Sequence, residues 1–243
     1  MIARFVKAWS ACSSLSSGDS RVQSARQWAE DDGQHLAADE WEKVGVMTFI
    51  TATIAATQDR AGFLEGFEAN VKPRATELGS LDTSVGQFVM GGEMAGLMGI
   101  SMEWDSVDAA LEASETIMSQ PGGQERMANT GSSIVRRSIM ENIAENGVRE
   151  GKYLSCTYLT GTVTDEGADL SWKHAQSGAN GFMTCRVVAA GMAGWTGAAF
   201  AWTDSVDAMN ASRASMLADP EMMQIMSKND MRPVGRVIMR QLA

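Results

Sequence analysis

The stretch MAGWTGAAFAWTDSVDA, Met192–Ala208, repeats in altered form a segment that the chain carries about a hundred residues earlier, MAGLMGISMEWDSVDA, Met94–Ala109. The first eleven positions share five identities, and the next five all match once Thr203 is skipped as a one-residue insertion. The match then continues at a separation of 99 residues, pairing Pro121 with Pro220, Met127 with Met226, Val135 with Val234, Arg137 with Arg236, Ile139 with Ile238 and Met140 with Met239. Self-similarity at one spacing reads as a diverged internal duplication, and every other reading has to fit it.

Both copies give the same succession of local signals. In the second, Gly151–Thr162 is rich in aromatic and β-favouring residues and reads as a strand. DEGADLSWKHAQSG follows as a helix with acidic residues in its first turn and Gly178 near its end. Two strands are expected next, joined tightly around Ala190 to Ala193. Thr203, Asp204 and Ser205 then offer caps for a helix, Pro220 suits the first turn of a short second helix, and RPVGRVIMRQL closes as a strand. The first copy reads as strand Val44–Ile54, helix Asp59–Leu78, strands Ser84–Met90 and Met94–Trp104, helices Ser106–Met118 and Gln124–Asn129, and strand Ser133–Glu141. The order is β-α-β-β-α-β, the split βαβ or ferredoxin-like pattern.

The expected fold class is therefore α+β, with two tandem ferredoxin-like units over residues 44–148 and 149–243. Residues 1–43 form an N-terminal extension read as a short strand and a helix around Val22–Glu30, with no assigned role. Two such units, each with a Gly-rich central hairpin, a "W.DSVDA" step from strand into helix, a short second helix and a final basic-apolar strand, resemble the dimeric α/β-barrel superfamily. Its relatives include antibiotic-biosynthesis-monooxygenase-like, stress-responsive A/B-barrel and EthD-like proteins. The resemblance implies that the chain supplies both four-stranded sheets of a pseudo-dimeric α/β barrel itself, with a ligand held between the sheets.

Composition narrows the partners. At 44% hydrophobic residues, 243 residues can bury a sizeable core. Thirty acidic against twenty basic residues, net charge -10, argue against a nucleic-acid phosphate track, and the absence of Lys/Arg runs argues against an anionic membrane surface. The longest nearly apolar run, Val187–Trp202, is shorter than the ~20 residues of a bilayer span and is broken by Gly191, Gly194 and Gly197. Three cysteines without CxxC spacing favour reduced thiols in the cytoplasm. No phosphate loop, dinucleotide fingerprint, GxSxG elbow or HExxH is present. Eighteen methionines suit irregular cores as well as apolar ligands, and core packing is the simpler reading.

Alternation along the third strand of each copy proposes the site. Met98, Ile100, Met102 and Trp104 share the bulkier face, and so, at equivalent places, do Thr196, Ala198, Phe200 and Trp202; these are expected under the helices. Leu97, Gly99, Ser101 and Glu103, with Trp195, Gly197, Ala199 and Ala201, would then look into the barrel. Trp195 and Glu103 stand where the copies differ, so Trp195, Leu97 and Ser101 are candidates for substrate binding and Glu103 for a general base, which would need a pKa raised by burial. The plain alternatives are that Trp195 is core and Glu103 a solvated strand end. Arg137 and Arg236 occupy equivalent places and could grip an anionic substrate, or simply pair with acidic neighbours. His174 would serve as an axial ligand if haem were bound, as in some relatives that the resemblance brings in; on a helix beside Lys173 it also reads as a surface residue.

Two functions follow as expectations. One is a small cofactor-independent monooxygenase-like enzyme, or small-molecule-binding protein, with an apolar inter-sheet cavity and no metal. The other is a non-catalytic assembly subunit, for which further pairing into a homo-oligomer remains open; haem binding stands as a third reading.

Overall fold

The computed structural model describes residues 47–243, so the strand and helix expected within residues 1–43 lie outside the described residues. Strand β1 (Thr48–Ala56) leads to α1, which runs as Arg60–Gly66, a π-helical turn Phe67–Val71 and Lys72–Glu77. Then come β2 (Asp82–Met90), β3 (Met98–Trp104), α2 (Val107–Ser119), α3 (Pro121–Asn129) and β4 (Ser133–Gly147). The second unit is β5 (Tyr153–Thr160), α4 (Asp165–Ala175), β6 (Gly181–Ala189), β7 (Gly197–Thr203), α5 (Val206–Ala218), α6 (Pro220–Lys228) and β8 (Arg232–Gln241). Helix starts follow local chemistry: Ser106 and Ser205 accept from the backbone amides of Ala109 and Ala208, and Pro121 and Pro220 fill first-turn positions whose N–H has no helical partner. No helix among the described residues is long and apolar enough to cross a membrane.

The eight strands close into an antiparallel barrel in the order β1-β3-β2-β8-β5-β7-β6-β4. Each unit contributes four neighbouring strands, and the units meet where β2 pairs β8 and β4 pairs β6. From β2 to α3 the elements recur in β6 to α6 at a constant separation of 99 residues. The irregularities recur as well: β1 and β5 shift register against β4 and β8 at Ile54/Ala55 and Tyr158/Leu159, leaving Val135 and Val234 as equivalent bulge residues.

That constant separation corrects one expectation. Aligning the two MAG segments and skipping Thr203 equates Trp104 with Trp202, but the hydrogen-bond register equates Trp104 with Thr203 and Glu103 with Trp202. A one-residue difference reverses both faces of a strand. In the first unit the expectation holds: Met98 and Trp104 pack under the helices, and the Trp104 indole N–H donates to Thr51 Oγ1 at 3.1 Å. In the second unit it is inverted, since Ala198, Phe200 and Trp202 fill the barrel while Ala199 and Ala201 lie under the helices.

Packing volumes explain how both arrangements are accommodated. Bulky Met102 and Trp104 of β3 meet small Ala75, Ala110 and Ala113 on the helices, whereas small Ala201 of β7 meets Met209, and Met222 and Met226 fill the space between α4 and α6. Close packing allows either partition so long as the sum is kept. Within the barrel, Ile50, Ile54, Phe88, Met140, Leu154, Met183, Trp202, Val237 and Met239 form one buried cluster. Gly197 has no spare room, because a Cβ there would stand 2.3 Å from Val163 Cγ2 and 3.0 Å from the Cys185 carbonyl oxygen. Gly197→Ala is therefore expected to destabilise the chain by about 1–3 kcal/mol in urea unfolding, the usual cost of overpacking. An unchanged midpoint would mean that β7 does not pack against Val163, just ahead of α4, in this way.

Candidate functional site

Two cavities sit at pseudo-equivalent places outside the barrel, each between the outer face of one sheet and its helices. The first, about 140 Å³, is walled by Thr53, Ile100 and Met102 of the sheet, Phe63 and Phe67 of α1, Ile117 of α2 and Met127 of α3. The second, about 100 Å³, is walled by Thr157, Ala199 and Ala201 with methionines 209, 216, 222 and 226 of α5 and α6. The π turn of α1 places Phe67 against the first cavity, and Phe67 itself is buried.

Arginines line both. Arg137 stands opposite Thr53 and Arg236 opposite Thr157, which brings the expected arginine pair to the helical side of the sheets, one in each cavity, and not to one shared site. Arg74 of α1 and Arg126 of α3 join Arg137, and Arg213 of α5 joins Arg236. Among the described residues no carboxylate lines either cavity. Arg236 donates from Nε to Ser155 Oγ and from Nη1 to Asn210 Oδ1, both at 2.7 Å. Burial first, and the nearby Arg213 charge second, hold Arg236 below the ordinary guanidinium value. Sequence reading missed Arg74, Arg126 and Arg213, because their contribution depends on helix orientation, and two of them have uncharged counterparts 99 residues away, Ile225 for Arg126 and Ser114 for Arg213.

The other candidates lie in the barrel, towards its two ends. Glu103 is buried, accepts from the Thr48 hydroxyl, and takes a hydrogen bond from Arg149 Nη1 at 2.6 Å. Arg149 also bonds Glu145 at 2.6 and 2.5 Å and stands 6.0 Å from the Trp202 ring centroid. Burial alone would lower the Arg149 pKa, but the bonds to Glu145 and Glu103 outweigh it and hold the guanidinium above its ordinary value. Glu103 is thus the counter-charge of a buried ion pair, neither a free base nor a solvated strand end.

Trp195 is buried in the barrel with Leu97 packed on the same cluster, and Ser101 stands opposite Ala52 on the inward face. The Trp195 ring lies 5.0 Å from Tyr158, and the Arg136 guanidinium sits 5.3 and 5.7 Å from the two ring centroids while donating to the Tyr158 hydroxyl at 2.8 Å. Burial pushes the neighbouring Cys156 thiol up to about 12, so it stays protonated. Trp195, Leu97 and Ser101 share the barrel interior with this cluster and do not line either of the two cavities.

His174 has both ring nitrogens engaged, Nε2 lying 2.8 Å from Asp219 Oδ2 and Nδ1 3.3 Å from Ser215 Oγ, and it faces neither cavity. An axial haem ligand needs an imidazole nitrogen free and aimed at a pocket. The residue does not fit that duty; it joins α4 to α5 and to the N-terminus of α6, which Asp219 caps through the Glu221 amide at 2.9 Å. Among the described residues no group of three or more His, Cys, Asp or Glu could hold a metal ion. The hydrogen bond from His174, and then the one from the Glu221 amide, hold the Asp219 carboxyl below its ordinary range. A depressed carboxyl stabilises the fold above the unfolded-state pKa and loses that contribution as pH falls through the folded one. His174→Ala is expected to lower the melting temperature at neutral pH and to raise the Asp219 pKa in a carboxyl-carbon NMR titration. Loss of a visible absorption band would instead return His174 to haem ligation.

Neither a protein-family model nor a curated relative matches the chain. Among solved structures it is similar to an anthrone oxidase-like protein at 13% identity, covering 83% of this chain and 93% of that one with a TM-score of 0.49. It is also similar to a variant of chlorite dismutase from Candidatus Nitrospira defluvii at 11% identity, 85% and 96% coverage and a TM-score of 0.49. A third is a heme-binding protein from Thermus thermophilus, at 12% identity, 81% and 91% coverage and a TM-score of 0.47. With eight antiparallel strands closed into one barrel and the order β-α-β-β-α-β traversed twice, the chain has a closed antiparallel α+β barrel fold.

Proposed function

We propose that this protein binds a small, largely apolar molecule, about one aromatic ring in size, in the cavity between sheet and helices of its first unit. The observation that carries this is the cavity itself: about 140 Å³, walled by ten aliphatic, methionine and phenylalanine side chains together with ten polar ones, three of them arginines. An apolar cavity of ~150 Å³ accepts benzene. The site differs from the expected one, which lay between the sheets, where Ile50, Phe88, Leu154, Trp202 and Met239 pack together. A lined cavity supports a binding protein ahead of a purely structural subunit.

Oxygenation without metal or flavin would require a group that takes a proton from the substrate. Among the described residues the first cavity is lined by hydroxyls, amides and guanidiniums but by no carboxylate, histidine, lysine or tyrosine, which supports binding ahead of monooxygenase chemistry. The 99-residue recurrence, bulges included, supports descent of the two units from one. The cytoplasm is proposed as the compartment because Cys156 and Cys185 are both free thiols.

Ligand-detected NMR of the full chain with toluene tests the binding reading. Saturation transfer to toluene is expected, and Ser114→Phe, which fills the cavity from α2, is expected to abolish it while circular dichroism stays unchanged. Transfer that survives Ser114→Phe, or none with the unaltered chain, sinks the assignment.

A further inference from the structure

We infer that the first-unit cavity is built for an apolar anion, in chemical class a single-ring aromatic carboxylate, and that Arg126 and Arg137 receive its charge; this rests on the binding reading above. Three guanidiniums and, among the described residues, no carboxylate line the cavity, in a chain of net charge -10. Arg74 is bonded to Glu77 at 2.8 Å, yet its Nε is buried without a partner. Arg126 and Arg137 make no side-chain hydrogen bond or ion pair with the described residues. Two cations and an orphaned N–H donor around one small apolar volume form an arrangement that a carboxylate would complete, because guanidinium forks match its geometry.

Comparison with the second unit shows that Arg137 lacks the partners that its counterpart has. Arg236 is held by Ser155 and Asn210. The register makes Thr51 the equivalent of Ser155, and the Thr51 hydroxyl already accepts from Trp104. The equivalent of Asn210 is Leu111, which cannot accept at all. A glycine also gives room to Arg126, because a Cβ at Gly122 would stand 3.0 Å from its Nη1. The apolar wall holds the ring, and the arginines select the charge.

Isothermal titration calorimetry of the full chain with sodium benzoate and with the isosteric, neutral benzamide tests this. Benzoate is expected to bind about tenfold or more tighter, a difference of about 1.4 kcal/mol or more. Arg137→Met and Arg126→Met should each bring benzoate close to benzamide while leaving benzamide unchanged, and Arg236→Met should leave the ratio as it is, with folding checked by circular dichroism. Equal affinity for the two probes, or a benzoate preference lost only in Arg236→Met, overturns the anion assignment and leaves the cavity reading standing. Failure of both probes and of toluene to bind overturns the cavity reading and this inference with it.

Discussion

In a closed antiparallel barrel every strand is hydrogen-bonded along both edges, so its register is fixed twice over and no edge is left to slip. The register then decides which side chains face the interior and which face the helices. Glu103 and Trp202 occupy one structural place, and so do Trp104 and Thr203. From that single alignment follow the filled barrel, the alanine-lined floor under the methionine-rich helices of the second unit, and the outward course of Arg137 and Arg236. The equivalent bulges at Val135 and Val234 lie just before these arginines.

The two units solve the same packing problem with opposite distributions of bulk. Around β3 the first places large residues on the strand and alanines on the helices; around β7 the second sets small Ala199 and Ala201 beneath Met209. Such exchange keeps interior volume while changing what remains as open space, and it gives a pseudo-symmetric scaffold two cavities of different size and lining. The charged residues differ between the units as well. Arg149, with Glu103 and Glu145, ties strands of the first unit together beside Trp202 of the second, so the carboxylate most suggestive of catalysis in the sequence serves the barrel instead.

Much of the fold was legible because it rests on local signals repeated twice: alternation in strands, serine and aspartate caps, prolines at helix starts. The central hairpin was misread in one copy for a definite reason. The MAG identities draw the eye to a separation of 98 residues, while the strands are paired at 99, and the loop sequences do not record that difference. Arg137 and Arg236 were legible as an equivalent pair because the 99-residue recurrence aligns them on the last strand of each unit. Arg74, Arg126 and Arg213 were not, because a helix shows its lining face only once it has docked. Glu103 and Trp195 were singled out because the copies differ there, but difference marked changed packing and not a pocket.

Cavity, cation placement and the unpartnered state of Arg137 all depend on the register, and Trp202 is its most sensitive reporter. The most direct test is a nuclear Overhauser measurement from the Trp202 indole in the methyl-labelled full chain. Contacts to the Leu154 methyls, its neighbour across the β5–β7 ladder on the barrel face, are expected. Contacts to the Met209 methyl of α5 would put Trp202 under the helices, equate it with Trp104 after all, and undo the placement of both cavities.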